Sequence, residues 1–457
     1  MTDSSTTDAT TARDVAYRVL DAHECGGRFV SALLDEVPAA VLSPQDRRLT
    51  TEIVTGVVRR RATLDALLAP HVRRPRQQVE AGLWTLLRIG CYQLVFLAMP
   101  AHAAVHETVE TAKRCGPGRW GGFLNGVLRS VARRLTDDIG DAPAADAVPL
   151  VDGRYRRCLD SVFPDPRDDF AGHFAAAFSF PSWMVERWHG RMNAEELVRL
   201  GFWFNTPPTV TLRVNALRTS RDALLQELHA AGIAAHAGAR TESIHLEDAA
   251  RIDRLPGYAE GLFSVQDESA MAAAALLDPR PGERVLDLCA APGVKTTHFA
   301  ERMQDRGEIV ATDVSPQRLR RVRENAERLG LGSIRPLAID RDGRDVPAGP
   351  FDAVLVDVPC SNTGVLGKRP EARWRLSRND LRELSALQRR LLTVACNRAR
   401  AGGRVVYSTC SIEPDENEHV VEAVLAERSD WRLIEGRHLQ PGAPADGGFQ
   451  ALIVREE

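Results

Sequence analysis

The chain has 457 residues, 44% of them hydrophobic and 26% charged, with a formal net charge of −3. That length calls for more than one hydrophobic core, the composition is that of a globular protein, and no apolar run reaches the ~20 residues of a membrane-spanning helix. Eight cysteines without a C-x-x-C pair argue against a disulfide framework or a zinc ribbon and for a reducing cytoplasm.

The first eleven residues are polar, lack a secretory h-region and read as a disordered lead-in. Residues 10–136 are predicted all-helical. Apolar positions recur at three- and four-residue spacing over 12–20, 31–36, 45–68, 79–97, 103–114 and 123–135, and prolines punctuate the intervals. Between residues 11 and 135 there are 17 Arg and one Lys against 11 acidic residues. The clusters Arg59-Arg60-Arg61, Arg73-Arg74 with Arg76, and Arg133-Arg134 could attract phosphate, or could simply be solvated helix faces. His102 and His106 have metal-ligand spacing but no third ligand, so no metal site is expected.

Residues 137–168 are rich in Asp, Ala, Pro and Gly, as in a linker. Residues 169–260 read as a small α+β module, with helices at 183–188, 195–205 and 220–231 and strands at 209–214 and 244–246. From 261 to 457 the pattern is β-α-β. Strands are predicted at 284–288, 308–311, 334–338, 353–356 and 403–407, with helices at 296–303, 316–329 and 381–400. The fold class is α/β, ending in a doubly wound, Rossmann-like parallel sheet.

In such a sheet the ligand crevice lies beyond the carboxyl ends of the strands. The first strand leads into Cys289-Ala290-Ala291-Pro292-Gly293-Val294-Lys295-Thr296, which lacks the G-x-G-x-x-G fingerprint. Asp313 ends the second strand, where an acid can accept both ribose hydroxyls; Asp340 follows the third and could accept from an adenine amine; Asp357 follows the fourth. Helix N-caps could explain any one of these acids. Together they suit an adenosine cofactor without pyrophosphate, and the cationic S-adenosylmethionine fits.

Two thiols sit at the same edge, in Asp357-Val358-Pro359-Cys360-Ser361 and Ser408-Thr409-Cys410-Ser411. If the acceptor is C5 of a cytosine, a thiolate adding at C6 would load electron density on C5 for methyl capture. Asp357 would serve the N3 edge, and the base would leave its stack. Spacing does not rank Cys360 against Cys410. Cys289 and the remaining cysteines read as packing residues.

At these residues the chain resembles the Sun/Fmu family of ribosomal RNA cytosine-C5 methyltransferases. The likeness runs through Leu288 to Thr296, Asp357 to Ser361, Asn362-Thr363-Gly364, Arg369-Pro370-Glu371, Trp374, and Ser408 to Ser411. Upstream, Leu212-Arg213-Val214-Asn215 and 261–269 also resemble the family. Leu87-Arg88-Ile89-Gly90-Cys91-Tyr92-Gln93-Leu94 and Asn125-Gly126-Val127-Leu128-Arg129 resemble a NusB-type helical RNA-binding domain.

The resemblance implies that Cys410 is the nucleophile and that Cys360 assists product release, with Asp357 and Lys295 also catalytic. It implies a cofactor site of Cys289, Ala290, Ala291, Pro292, Gly293, Val294, Lys295, Asp313, Asp340 and Asp357. The implied partner is 16S ribosomal RNA as substrate, with RNA contacts on 10–136 and 169–260, and the enzyme is expected to be monomeric and cytoplasmic, without metal or membrane. Val294 stands where the family usually has a second glycine, and Val358 where it usually has alanine. A non-catalytic RNA-assembly factor would not need the thiols. A nicotinamide oxidoreductase would need the missing glycine fingerprint.

Overall fold

The computed structural model describes residues 10–38, 40–97, 99–151, 153–247, 251–341, 343, 345–442 and 445–456; most of the polar lead-in lies outside them. The chain divides into two compact units. One is Met1–Thr206 with Arg369–Arg375, and the other is Pro207–Lys368 with Leu376–Glu457.

The N-terminal unit begins with the helices Ala12–Gly26, Val30–Asp35, Pro44–Arg59, Arg61–Leu68, Ala81–Val95, Ala101–Cys115 and Trp120–Ala132. Thr11 and Asp14 form a capping box on the first. The predicted 45–68 helix is two, divided at Arg60. Leu64, Leu86, Leu87, Leu124 and Leu128 are fully buried. Gly90 permits close helix packing, because a Cβ there would lie 2.4 Å from Leu128 Cδ1. Arg88 is buried and donates to both oxygens of Asp65 at 2.7 Å and to Glu24 at 3.0 Å.

The stretch 137–168 is not a linker. It carries β1 (Leu135–Gly140), β2 (Ala147–Pro149) and β3 (Tyr155–Cys158), an antiparallel sheet in the order β1-β3-β2. Only a few of its side chains, among them Ala147, Val148 and Tyr155, are buried. The others are mostly Asp, Arg, Pro, Gly and Ala, and Ile139 and Leu159 are exposed, so the composition imitates a linker. Arg60 donates to the carbonyls of Pro149 and Leu150, and its guanidinium lies 4.7 Å from the Phe96 ring centre. Arg59 and Arg60 are thus buried rather than free for phosphate, and burial pulls Arg60 down to about 9.

Helices Phe170–Ala177, Ser182–His189 and Ala194–Asn205 follow. They were expected in the 169–260 module but divide with the N-terminal unit. Their core is aromatic, with Phe174, Phe178, Trp188 and Phe204 fully buried. Residues 369–375 return to this unit from far along the chain. Arg373, fully buried, lies over the Phe180 ring at 4.1 Å and donates to Ser179 O at 3.0 Å and Phe204 O at 3.2 Å. Trp374 Nε1 donates to Val58 O, and Glu371 accepts from Val30 N.

The second unit opens with β4 (Val210–Val214), β5 (Ala235–Ala237), β6 (Ser243–Leu246) and β7 (Phe263–Val265), an antiparallel sheet in the order β5-β6-β4-β7. Then come β8 (Arg284–Asp287), β9 (Glu308–Asp313), β10 (Ile334–Ala338), β11 (Phe351–Asp357), β12 (Ala399–Thr409), β13 (Trp431–Leu439) and β14 (Gly448–Arg455). They form one sheet in the order β10-β9-β8-β11-β12-β14-β13.

The first five strands of that order are parallel, and β14 and β13 add an antiparallel edge that the predicted parallel sheet lacks. β13 escapes a hydrophobic reading because most of its residues are exposed or half-buried and a bulge interrupts it near Leu433. In β8, β9, β11 and β12 successive residues alternate between two cores. Leu286, Val310, Val354 and Val405 face one; Val285, Ile309, Leu355 and Val406 face the other. This two-faced burial explains their continuous apolar runs. Helix Pro316–Leu329 and β10 coincide with the predicted ranges, the helix being bounded by the Ser315 N-cap and a left-handed Gly330.

Candidate active site

Because β8, β9, β11 and β12 run parallel, their carboxyl ends share one edge, and Asp287, Asp313, Asp357 and Cys410 follow from that edge. The cofactor loop leaves β8 and turns at Gly293, whose φ of 97° lies in the left-handed region. A Cβ there would also press to 3.1 Å from the backbone of Val322. Ala290 N donates to Thr312 O at 2.8 Å and Gly293 N to Ala290 O at 2.7 Å, fixing the loop. Val294 begins the helix Val294–Arg302, and its carbonyl accepts from Arg213 Nη1 at 2.8 Å.

Asp287 is buried. Its Oδ2 accepts from the Thr296 hydroxyl at 2.7 Å, while Oδ1 has no hydrogen-bond partner among the described residues. Burial pushes this carboxyl up to about 7; the Thr296 hydroxyl and Lys295 oppose the rise, while the charges of Asp357 and Asp313 add to it. Asp313 accepts from Ser315 N at 2.9 Å and lies 3.1 Å from an Arg318 guanidinium nitrogen. Val314, next along, is 49% exposed and offers an apolar surface. Lys295 Nζ donates to Asp357 Oδ2 at 2.7 Å. Burial pulls Lys295 down, but Asp357 outweighs it and leaves the ammonium above its ordinary value.

The two thiols meet. Cys360 Sγ lies 3.1 Å from Cys410 Sγ, and Cys410 Sγ donates to Asn362 Oδ1 at 3.3 Å. The contact with Cys410, then burial, holds the Cys360 thiol well above its usual range. Gly364 N donates to Cys410 O at 2.9 Å, joining the two loops.

Of the sequence-predicted residues, Lys295 and Asp357 are in contact, as are Cys360 and Cys410. Cys289 instead packs against the sheet core, and burial drives its thiol far up, as for a packing cysteine. Asp340 lies two residues past the end of β10 and is exposed, its backbone N–H donating to Asp345. Asp287 and Glu416 were not singled out, and Arg213 and Asn362 were named only within motifs that carry the family resemblance, without a role. Asp287 is the last residue of an apolar run, a position shared with the acids that were noticed. Among the described residues no three His, Cys, Asp or Glu side chains are grouped to hold a metal ion, and no helix is long and apolar enough to cross a membrane.

The residues present fit S-adenosylmethionine. A buried carboxylate oxygen without a partner among the described residues and further acids at neighbouring strand ends suit a cation, and a row of acids disfavours a pyrophosphate. Fold and crevice together define an S-adenosylmethionine-dependent methyltransferase.

Comparison with known proteins narrows the class. Residues 274–451 match the family model described as 16S rRNA methyltransferase RsmB/F, residues 10–133 the NusB family, and residues 180–253 an RsmF/B-like ferredoxin-like domain. The chain is 35% identical to a probable ribosomal RNA small subunit methyltransferase B of Synechocystis, over 92% of this chain and 90% of that one. It is 35% identical to ribosomal RNA small subunit methyltransferase B of Sodalis glossinidius, over 97% and 96%. Among solved structures, PH0851 superposes with a TM-score of 0.76 at 24% identity, covering 98% of both chains, a likeness of fold. A methyltransferase homologue from Pyrococcus horikoshii matches with a TM-score of 0.55 at 28% identity, over 62% of this chain and 97% of that one. The chain belongs to the ribosomal RNA small subunit methyltransferase B family.

Proposed function

We propose that this enzyme methylates C5 of a cytidine in 16S ribosomal RNA, with Cys410 as the nucleophile. The thiol pair carries the reading: two sulfurs 3.1 Å apart at the carboxyl ends of adjacent parallel strands. The names of the relatives support the substrate class. The working unit is a single chain in the cytoplasm without metal, its RNA contacts falling on 10–136 and 169–260.

S-adenosylmethionine supplies the methyl group on its sulfonium. The Cys410 thiolate adds to C6 of the extruded base, and the C5–C6 π electrons move toward the N3 edge, where Asp357 with Lys295 steadies the charge. C5 would then take the methyl carbon as the bond from that carbon to the donor sulfonium breaks and the donor leaves as a neutral thioether. Loss of the C5 proton to a base and cleavage of the C6–S bond restore the aromatic ring and free Cys410. Cys360, whose thiol is held above its usual range by the contact with Cys410 and by burial, suits acid–base assistance at that last step.

The test is to incubate labelled 16S transcript with each variant and resolve the products on a denaturing gel. Cys360→Ala is expected to accumulate a covalent protein–RNA adduct, and Cys410→Ala to give neither adduct nor methylation. The opposite pattern would exchange the two roles. Full turnover with both cysteines replaced by serine would refute the mechanism.

A further inference from the structure

The residue after each active-site cysteine is a serine, and both serines bind one buried carboxylate. Glu416, in the short 3-10 turn Pro414–Glu416 beyond β12, has no solvent exposure. Its Oε2 accepts from the Ser361 hydroxyl and, at 2.5 Å, from the Ser411 hydroxyl. Its Oε1 accepts from Ser361 N at 2.8 Å and from Gln388 Nε2 at 2.9 Å. Gln388 also donates to Pro359 O at 2.9 Å, in the residue before Cys360. Thr363 extends the cluster, 3.0 Å from the Ser411 hydroxyl and accepting from Ile412 N at 3.1 Å. The Glu416 carbonyl accepts from the buried Tyr407 hydroxyl at 2.5 Å.

This arrangement is costly to assemble without a purpose. A carboxylate taken out of water loses several kcal/mol of hydration. Here the four donors that replace the water are uncharged and come from three segments: the Cys360 loop, the Cys410 loop and the helix Arg378–Arg398. The two cysteine loops also touch directly, through Ser361 and Ser411 at 3.1 Å, Thr363 and Ser411 at 3.0 Å, and Ile412 N to Thr363 at 3.1 Å, but Glu416 is the group that ties both serines to the helix Arg378–Arg398 as well. The backbone contact from Gly364 to Cys410 fixes the loops at one point; the carboxylate fixes them one residue away from each sulfur.

We infer that Glu416 is a positioning residue that sets the separation of the Cys360 and Cys410 sulfurs for the covalent step. The inference rests on the thiol chemistry proposed above. Its charge has a second effect: it adds to the contact and burial that raise the Cys360 thiol. Burial raises the Glu416 carboxyl itself, and the hydrogen bonds from Ser361, Ser411 and Gln388 oppose that rise.

The experiment uses the full chain with S-adenosylmethionine and 16S transcript. It compares wild type, Glu416→Gln, Ser411→Ala, the double variant and Cys410→Ala. Single-turnover methyl transfer, the dissociation constant for S-adenosylmethionine, and the pH profile of thiol alkylation at Cys360 are measured together. Glu416→Gln is expected to slow transfer by ~100-fold and Ser411→Ala by ~10-fold, as for loss of a buried network and of one of its charge-assisted bonds. The double variant should be no slower than Glu416→Gln, because both act through one network. Cofactor affinity should stay within about twofold, and the Cys360 alkylation profile should move to lower pH once the charge is gone.

A purely structural glutamate would lower cofactor binding and transfer together and leave the alkylation profile in place; that result overturns the inference. So does transfer within about threefold of wild type in both single variants, or additive losses in the double one. Should Glu416→Gln fail to fold, Ser411→Ala carries the decision, since it leaves three of the four donors. Unchanged transfer there overturns the inference, and a tenfold loss with intact cofactor binding supports it. Methylation by Cys410→Ala would sink the functional reading instead, whatever the glutamate does.

Discussion

Two buried charges, one in each unit, are treated in opposite ways. Arg88 in the helical unit has every direction of its guanidinium answered by Asp65 and Glu24. Asp287 in the sheet unit is equally hidden but is answered on one oxygen only. The first arrangement is complete without a ligand. The second leaves one carboxylate oxygen unanswered among the described residues, which suits a cationic ligand. For these two residues the hydrogen bonds, and not the residue type, separate a structural charge from one open to a ligand.

The comparison can be broken at several points. The largest effect belongs to the site itself: Cys410→Ala should reduce methyl transfer by ~10⁴-fold or more, as loss of a covalent nucleophile does, while a binding assay shows cofactor affinity unchanged. In the helical unit, Arg88→Met should destabilise the fold by about 3 kcal/mol, because two acids lose a buried partner. A denaturant titration measures this, and cofactor affinity should not change.

Asp287→Asn should do the reverse, weakening S-adenosylmethionine by ~10- to 100-fold in calorimetry while raising the melting temperature of the unliganded protein. The sign in pH follows. The folded carboxyl is raised from 3.8 to about 7, so its contribution to stability is full below pH 4 and is lost as pH rises toward 7. The asparagine variant should lack that decline, which paired melts across the window would reveal. The smallest effect concerns exposed charge: Arg73→Glu with Arg74→Glu should weaken RNA binding several-fold and lower the salt slope by about 1 to 2, whereas helix faces that merely meet solvent would leave the slope as it was.

The central sheet was legible because β8, β9, β11 and β12 are buried on both faces, so Val354 to Val356 and Val405 to Tyr407 announce themselves as apolar runs. The cysteine motifs were legible because a thiol at a strand end has an unusual address. What stayed hidden was amphipathic or shared. β1 and β3 present Thr136, Asp137, Arg156 and Arg157 with few apolar markers, and β13 lies at an edge. Arg59 and Arg60 read as surface charge because the carbonyls that receive Arg60 lie 89 and 90 residues away. Glu416 was invisible for the same reason: its partners Ser361 and Gln388 are 55 and 28 residues distant.

The return of Arg369–Arg375 to the first unit bears on how the chain is made. Ser179 and Phe204 wait for a guanidinium that the ribosome adds about 170 to 190 positions later, and Val30 N and Val58 O wait more than 300 for Glu371 and Trp374. Closing such long intervals is slow. The helical part cannot be finished during its own synthesis, and its last stitches are sewn after the Cys360 loop has already emerged.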